Sequence, residues 1–242
     1  MARPGCGLYL RLYTWSARSI TFGRNQKLEK AFSHDRLGDT PAIRRLTGGR
    51  ALLHDPSELT YSITVDREGD VPSQLVGKSA AFGDFVAEGL VSFLESLGKR
   101  AEYAPNSSSS NAKPETFHSA PCFESHARSE VISEGRKTIA SAAFHDLRYS
   151  LQHGSIKLHG ISDHPALSLP PQPDSQVPDS ASIGLSEFDL HSRSFADAMA
   201  HTLRLKIEPI SLPPDELSVV QQYREVLKKQ PFSRRDIFKH GV

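Results

Sequence analysis

Residues 44–55 read RRLTGGRALLHD, and residues 58–65 follow as ELTYSITV. A basic pair, a Gly-Gly turn and an apolar run lead into a β-branched, aromatic, alternating segment, which is a strand pattern. Two adjacent glycines let a backbone come close to a ligand, and Arg44, Arg45 and Arg50 carry charge suited to a phosphate or carboxylate. His54 and Asp55 add a titratable pair at the base of the strand. The same residues also fit a hairpin turn with solvated arginines, and spacing alone does not separate the two readings.

On the N-terminal side, residues 8–15 (LYLRLYTW) and 19–22 predict short strands, ended by a Gly23-Arg24-Asn25 turn. On the C-terminal side, residues 73–97 predict the strongest helix. There Leu75, Phe82, Val86, Leu90, Phe93 and Leu97 fall on one stripe, with Gly98 where a C-terminal cap belongs. Residues 128–134 and 137–144 predict two strands around a Gly135-Arg136 turn, and residues 149–158 a third, together an antiparallel meander. Residues 104–121 predict a long, mobile loop and residues 163–181 a Pro/Ser-rich connection. Residues 193–202 read as a helix and 203–210 as extended. Pro213-Pro214-Asp215-Glu216 then opens a final helix to about Lys229. The class expected is α+β, a mixed and largely antiparallel central sheet with packed helices, in one domain over residues 1–242.

A chain of 242 residues, 38% hydrophobic, is long enough to bury a core without disulfides or metals. A net charge of +1 gives no argument for nucleic acid or an anionic membrane as partner. No apolar run approaches membrane-spanning length. The two cysteines, Cys6 and Cys122, are too few for a disulfide framework, and the N-terminus lacks the basic start of a signal peptide. The expectation is a cytoplasmic protein.

Two further constellations can carry chemistry. Cys122 closes the 104–121 loop, and Lys137 opens the strand after the next turn, so an ammonium could stabilise a thiolate there. A lone cysteine is also commonly an inert buried residue. Gln152-His153-Gly154-Ser155 places a histidine beside a glycine in a strand, which marks either close approach to a ligand or a histidine bonded within the sheet. The remaining histidines show no metal-ligand spacing, and no phosphate-binding loop, dinucleotide fingerprint or nucleophile-elbow serine is present.

These residues resemble a known family. RRLTGGRALLHD followed by ELTYSITV is similar to the signature of the biotin/lipoate ligase and octanoyltransferase superfamily. SEVISEGRKTIASAAF followed by LQHGSIKL is similar to its second block, a Gly-x-Lys hairpin and the strand behind it. PCFESHARSEVISEGRK resembles the single-domain cysteine octanoyltransferases, of the LipM type, where a cysteine precedes the motif lysine by the fifteen residues that separate Cys122 from Lys137. The resemblance implies a biotin/lipoyl ligase-like catalytic domain and a cofactor-free octanoyltransferase. It would move octanoyl from acyl carrier protein, through a Cys122 thioester, to the lysine of lipoyl-domain proteins, the glycine-cleavage H protein included. Cys122 and Lys137 would be catalytic. Arg45, Gly48, Gly49, His54 and Ser141 would bind substrate, and His153 and Gly154 would form the facing wall.

Two departures from the family pattern stand out. The family has a further strand and helix before the segment aligned with residues 8–15, so the resemblance implies a truncated start or the loss of part of one wall. Ala140-Ser141-Ala142-Ala143 stands where the family tends to have Gly-Ser-Ala-Gln. Rival readings are an ATP- and Mg-dependent lipoate ligase with no role for Cys122, an amidotransferase between two lipoyl domains, and a non-catalytic member that binds lipoyl domains.

Overall fold

The computed structural model of the chain describes residues 7–27, 33–76, 79–103, 131–159, 166–167 and 182–210. The described residues up to Lys206 lie in one compact unit, and 207–210 belong to a second. Cys122, the 104–121 loop, most of the 163–181 connection and the helix expected from Pro213 lie outside the described residues.

In chain order the elements are β1 (Leu8–Tyr13), β2 (Ser19–Phe22), a 3-10 turn (His34–Arg36), β3 (Ala42–Arg44), β4 (Leu52–His54), β5 (Leu59–Asp66), α1 (Ser73–Val76), α2 (Ser79–Ser96), β6 (Ala101–Tyr103), β7 (Val131–Ser133), β8 (Arg136–His145), β9 (Tyr149–Ile156) and α3 (Leu185–Leu203). The larger sheet has the order β1-β5-β9-β8-β7-β6, with every neighbouring pair antiparallel. A smaller sheet, β3-β2-β4, supplies the mixed character, because β2 runs parallel to β3 and antiparallel to β4. No helix among the described residues is long and apolar enough to cross a membrane.

Strand alternation sorts the side chains into layers. Leu59, Tyr61, Ile63 and Val65 of β5 share one face and are fully buried. Helices α2 and α3 cover that face: Tyr61 meets Phe195 at 5.8 Å between ring centroids, and Phe195 meets Phe93 edge-on at 5.2 Å. The predicted helical stripe is this contact, with Leu75, Phe82, Val86, Leu90 and Phe93 all buried. Gly98 takes φ +74°, and the amides of Gly98 and Lys99 bond back to Glu95 and Leu94, closing α2 as its sequence predicts. In the smaller sheet Ile20, Phe22 and Leu53 turn to a second core with Ala51 and Ala166. Thr21 and His54 therefore face the other way, toward the larger sheet.

Three sequence expectations change. The β7–β8 turn is Glu134-Gly135, one residue earlier than Gly135-Arg136, since Ser133 pairs with Arg136 and both turn residues have positive φ (53° and 74°). That is the two-residue turn whose twist matches a hairpin, and Glu is a strained occupant of its first position. Glu134→Asn is expected to raise unfolding free energy by about 1 kcal/mol in urea titrations. Helix α3 begins at Leu185 rather than residue 193, because its first two turns bury no apolar side chain and so show no stripe. Residues 203–210 are not extended strand: Leu203 ends α3, Arg204 takes a left-handed cap at φ 53°, and the rest pairs with no described strand.

Candidate active site

Between the two sheets lies a cavity of about 130 Å³. Thr21, Leu52 and His54 line it from the smaller sheet, and Thr60, Ala140, Ala142, His153 and Ser155 from the larger. Tyr13 and Trp15 close it from the end of β1, and Arg45 and Gly49 from the glycine loop. Of the residues singled out in the sequence, Arg45, Gly49, His54, Ser141, His153 and Gly154 thus meet at one cavity. Gly48 stands beside it, its carbonyl turned onto Arg45. Lys137 is buried on β8, three residues and about 10 Å of strand before Ala140, and is not part of the lining.

Arg44 and Arg45 of the glycine segment hold backbone. Arg45 donates from Nη2 to the carbonyls of Gly48 (3.1 Å) and Arg50 (2.7 Å), and from Nη1 to Thr21 Oγ1 (2.8 Å). Arg44 donates to the carbonyls of Arg24 (3.0 Å) and Gln26 (2.7 Å) and lies over the Phe22 ring. These bonds, with Gly49 at φ +89°, shape the loop and bring Thr47 within 2.6 Å of His153 Nε2.

His54 sits in a denser network. Its Nε2 is 2.6 Å from Thr21 Oγ1 and its Nδ1 2.5 Å from Glu58 Oε1. Trp15 stacks on its ring at 4.1 Å and donates from Nε1 to Thr60 Oγ1 at 2.8 Å, which donates to Glu58 Oε1 at 2.9 Å. Lys157, one residue past β9, donates to Glu58 Oε2 and to the Leu53 carbonyl (3.0 Å). Burial alone would raise the Glu58 carboxyl, but the hydrogen bond from His54 and the Lys157 charge bring it below its ordinary range. Burial lowers His54, helped by Lys157 and Arg45 and opposed by Glu58, so the ring stays neutral.

His153 is pushed down to about 4, first by burial and then by the Arg45 charge. The unfolded chain takes up that proton near the ordinary 6.5, so between these pH values it binds more protons than the folded chain. Stability therefore falls as pH drops from 6.5 to 4, by up to about 3 kcal/mol from this residue. Urea unfolding at several pH values checks it, and His153→Gln is expected to flatten the slope.

Sequence reading missed Trp15, Thr21, Thr47, Glu58, Thr60 and Lys157. Alternation in Ser19–Phe22 put Thr21 opposite the apolar Ile20 and Phe22, and was the one available signal for it. Glu58 and Lys157 are 99 residues apart, and nothing local announces their pairing.

This is the α+β fold of the lipoate ligases. Lipoate-protein ligase A bound with ATP superposes with a TM-score of 0.66 over 93% of this chain and 83% of its own, at 20% identity. The bi-partite lipoate protein ligase from Thermoplasma acidophilum, described with its E2 lipoyl domain, gives 0.64 over 95% and 83%, at 19% identity. Residues 5–185 match the lipoyl protein ligase A/B catalytic domain, and the chain belongs to that family. It is similar to the octanoyltransferase LipM of Macrococcus caseolyticus, 34% identical over 61% of this chain and 53% of the relative. It is also similar to that of Kyrpidia tusciae, 30% identical over 88% and 82%. In the first of these matches, and in several like it, the chain spans about half the length of the curated relative.

Proposed function

We propose that the chain is an octanoyltransferase of protein lipoylation, working in the cytoplasm. The observation that carries this is its similarity to octanoyltransferases LipM, joined to a cavity at which the glycine loop, His54 and His153 converge. The Cys122 thiolate attacks the carbonyl of an octanoyl thioester on acyl carrier protein. The tetrahedral oxyanion collapses, the carrier thiolate leaves and takes a proton, and octanoyl remains on Cys122. The neutral amine of a lipoyl-domain lysine then attacks, the Cys122 thiolate leaves, and the amine proton goes to solvent. The first step exchanges like for like; the second is downhill because an amide is the more stable product. Lys137 serves the thiolate as a nearby cation. Arg45, Gly48, Gly49, His54, Ser141, His153 and Gly154 bind the acyl-bearing arm, and the acceptors are lipoyl-domain proteins such as the glycine-cleavage H protein. No ATP enters either step.

An assay with octanoyl-loaded acyl carrier protein and a lipoyl domain, without ATP, tests the reading. Octanoyl-lysine amide is expected. Amide formed only from free octanoate with ATP and Mg would make the chain a ligase instead.

A further inference from the structure

The buried charges behind His54 take no part in the chemistry above. We propose that Lys157 and Glu58 are positioning residues: together they lock His54 in its Nδ1–H tautomer and so fix the direction of the hydrogen bonds running through Thr21 and Arg45 to the glycine loop. The proposal deepens the transferase reading, since the wall it positions belongs to that site.

Donor and acceptor chemistry sets the direction. Arg45 can only donate, so Thr21 Oγ1 accepts its Nη1 proton at 2.8 Å. Glu58, held as a carboxylate, can only accept, so the proton on the 2.5 Å bond belongs to His54 Nδ1. A neutral imidazole has one N–H, so Nε2 is bare and the Thr21 hydroxyl donates to it at 2.6 Å. Each bond in the row Arg45, Thr21, His54, Glu58 therefore points the same way. Glu58 is its terminus, and it also accepts from Thr60 and Lys157.

Lys157 is what keeps this terminus from drawing a second proton onto the histidine. It is buried, bonded to Glu58 and the Leu53 carbonyl, and 3.6 Å from Asp55 Oδ2. The carboxylates of Asp55 and Glu58 stand against the cations Lys157 and Arg45, a balance that holds with His54 neutral. Take Lys157 away, and the nearest proton available to offset Glu58 is a second one on His54. An imidazolium Nε2–H would then compete with Arg45 for the Thr21 oxygen, and the hydroxyl proton would have to turn elsewhere. The charged, titratable and hydrogen-bonding groups facing this ring are Glu58 and Lys157 on one side, Thr21 and Arg45 on the other, with His153 farther along the cavity; Trp15 covers its face.

Long-range proton–nitrogen spectra of the ¹⁵N-labelled full chain read the tautomer directly. In the wild type His54 is expected to be Nδ1–H, titrating below the ordinary imidazole range. Lys157→Met is expected to move the His54 titration up, and Lys157→Arg to restore the wild-type spectrum. Octanoyl transfer should lose kcat in Lys157→Met with little change in KM, and recover in Lys157→Arg. A wild-type His54 that is Nε2–H, or that titrates at or above the ordinary imidazole range, overturns the proposal, as does a folded Lys157→Met with the wild-type spectrum. If Lys157→Met does not fold, the wild-type and Lys157→Arg spectra still decide. Should the tautomer behave as expected while no octanoyl transfer is seen, the positioning holds and the transferase reading falls.

Discussion

Cys122→Ser is expected to bring octanoyl transfer close to background, a loss of roughly 10³-fold or more in kcat. A thiolate is available near neutral pH with modest help from a cation, whereas a serine hydroxyl needs a base to take its proton. The two histidines of the cavity are poor candidates for that base. The bare Nε2 of His54 is occupied by the Thr21 hydroxyl, and His153 Nε2 is bonded to Thr47. Binding of the lipoyl domain should change little, because the side chain keeps its size. Steady-state transfer from octanoyl-loaded acyl carrier protein, measured beside lipoyl-domain affinity, separates the two effects. Full activity in Cys122→Ser would instead mean that the acyl group does not pass through the cysteine.

Gly154→Val is expected to cost the most stability of any change at the site. A Cβ at Gly154 would lie 2.6 Å from the Ala140 carbonyl oxygen, 2.7 Å from Tyr61 Cε1 and 3.1 Å from Ser141 Oγ. None of these neighbours gives way easily. Ala140 belongs to the backbone of β8, paired with β9 through this region. Tyr61 is fully buried, its hydroxyl bonded to Ser141 at 2.7 Å and its ring packed on Phe195. Burial pushes that phenol up to about 12, so it stays protonated and keeps its bonds at any ordinary pH. Alanine at this position should cost about 1–3 kcal/mol by overpacking, and valine more, enough to unfold a marginally stable domain. Chemical unfolding of Gly154→Ala and Gly154→Val checks the order. A valine variant as stable as the wild type would mean that the β8–β9 spacing is much more compliant than its contacts imply.

The glycine shows what could be read in the chain and what could not. A glycine beside a histidine in a strand signals close approach, and close approach is there. Its direct cause is the Tyr61 ring and the Ala140 carbonyl, groups far off in sequence that a local pattern does not name. The strands 19–22 and 58–65 and the stripe on α2 were visible because apolar residues there recur at a regular period in the sequence. The two-residue Glu134-Gly135 turn and the first turns of α3 were obscured for the opposite reason, since a strained glutamate and an exposed helical start break no apolar rhythm. RRLTGGR drew attention to its arginines as ligands for an anion. In the fold the Arg44 and Arg45 guanidinium groups grip backbone carbonyls, and the loop they shape brings Thr47 to His153. Lys157 and Glu58 were hidden altogether, because a buried ion pair is a fact about two strand ends meeting in space.

The most direct test of the thioester account is a mass spectrum. The chain is mixed with octanoyl-loaded acyl carrier protein, with no acceptor and no ATP, and its intact mass is read before and after hydroxylamine. The account predicts one added octanoyl group, located on Cys122 by peptide mapping, removed by hydroxylamine and passed to a lipoyl domain when one is supplied. Transfer that proceeds with no such adduct, or with the group on another residue, would contradict it.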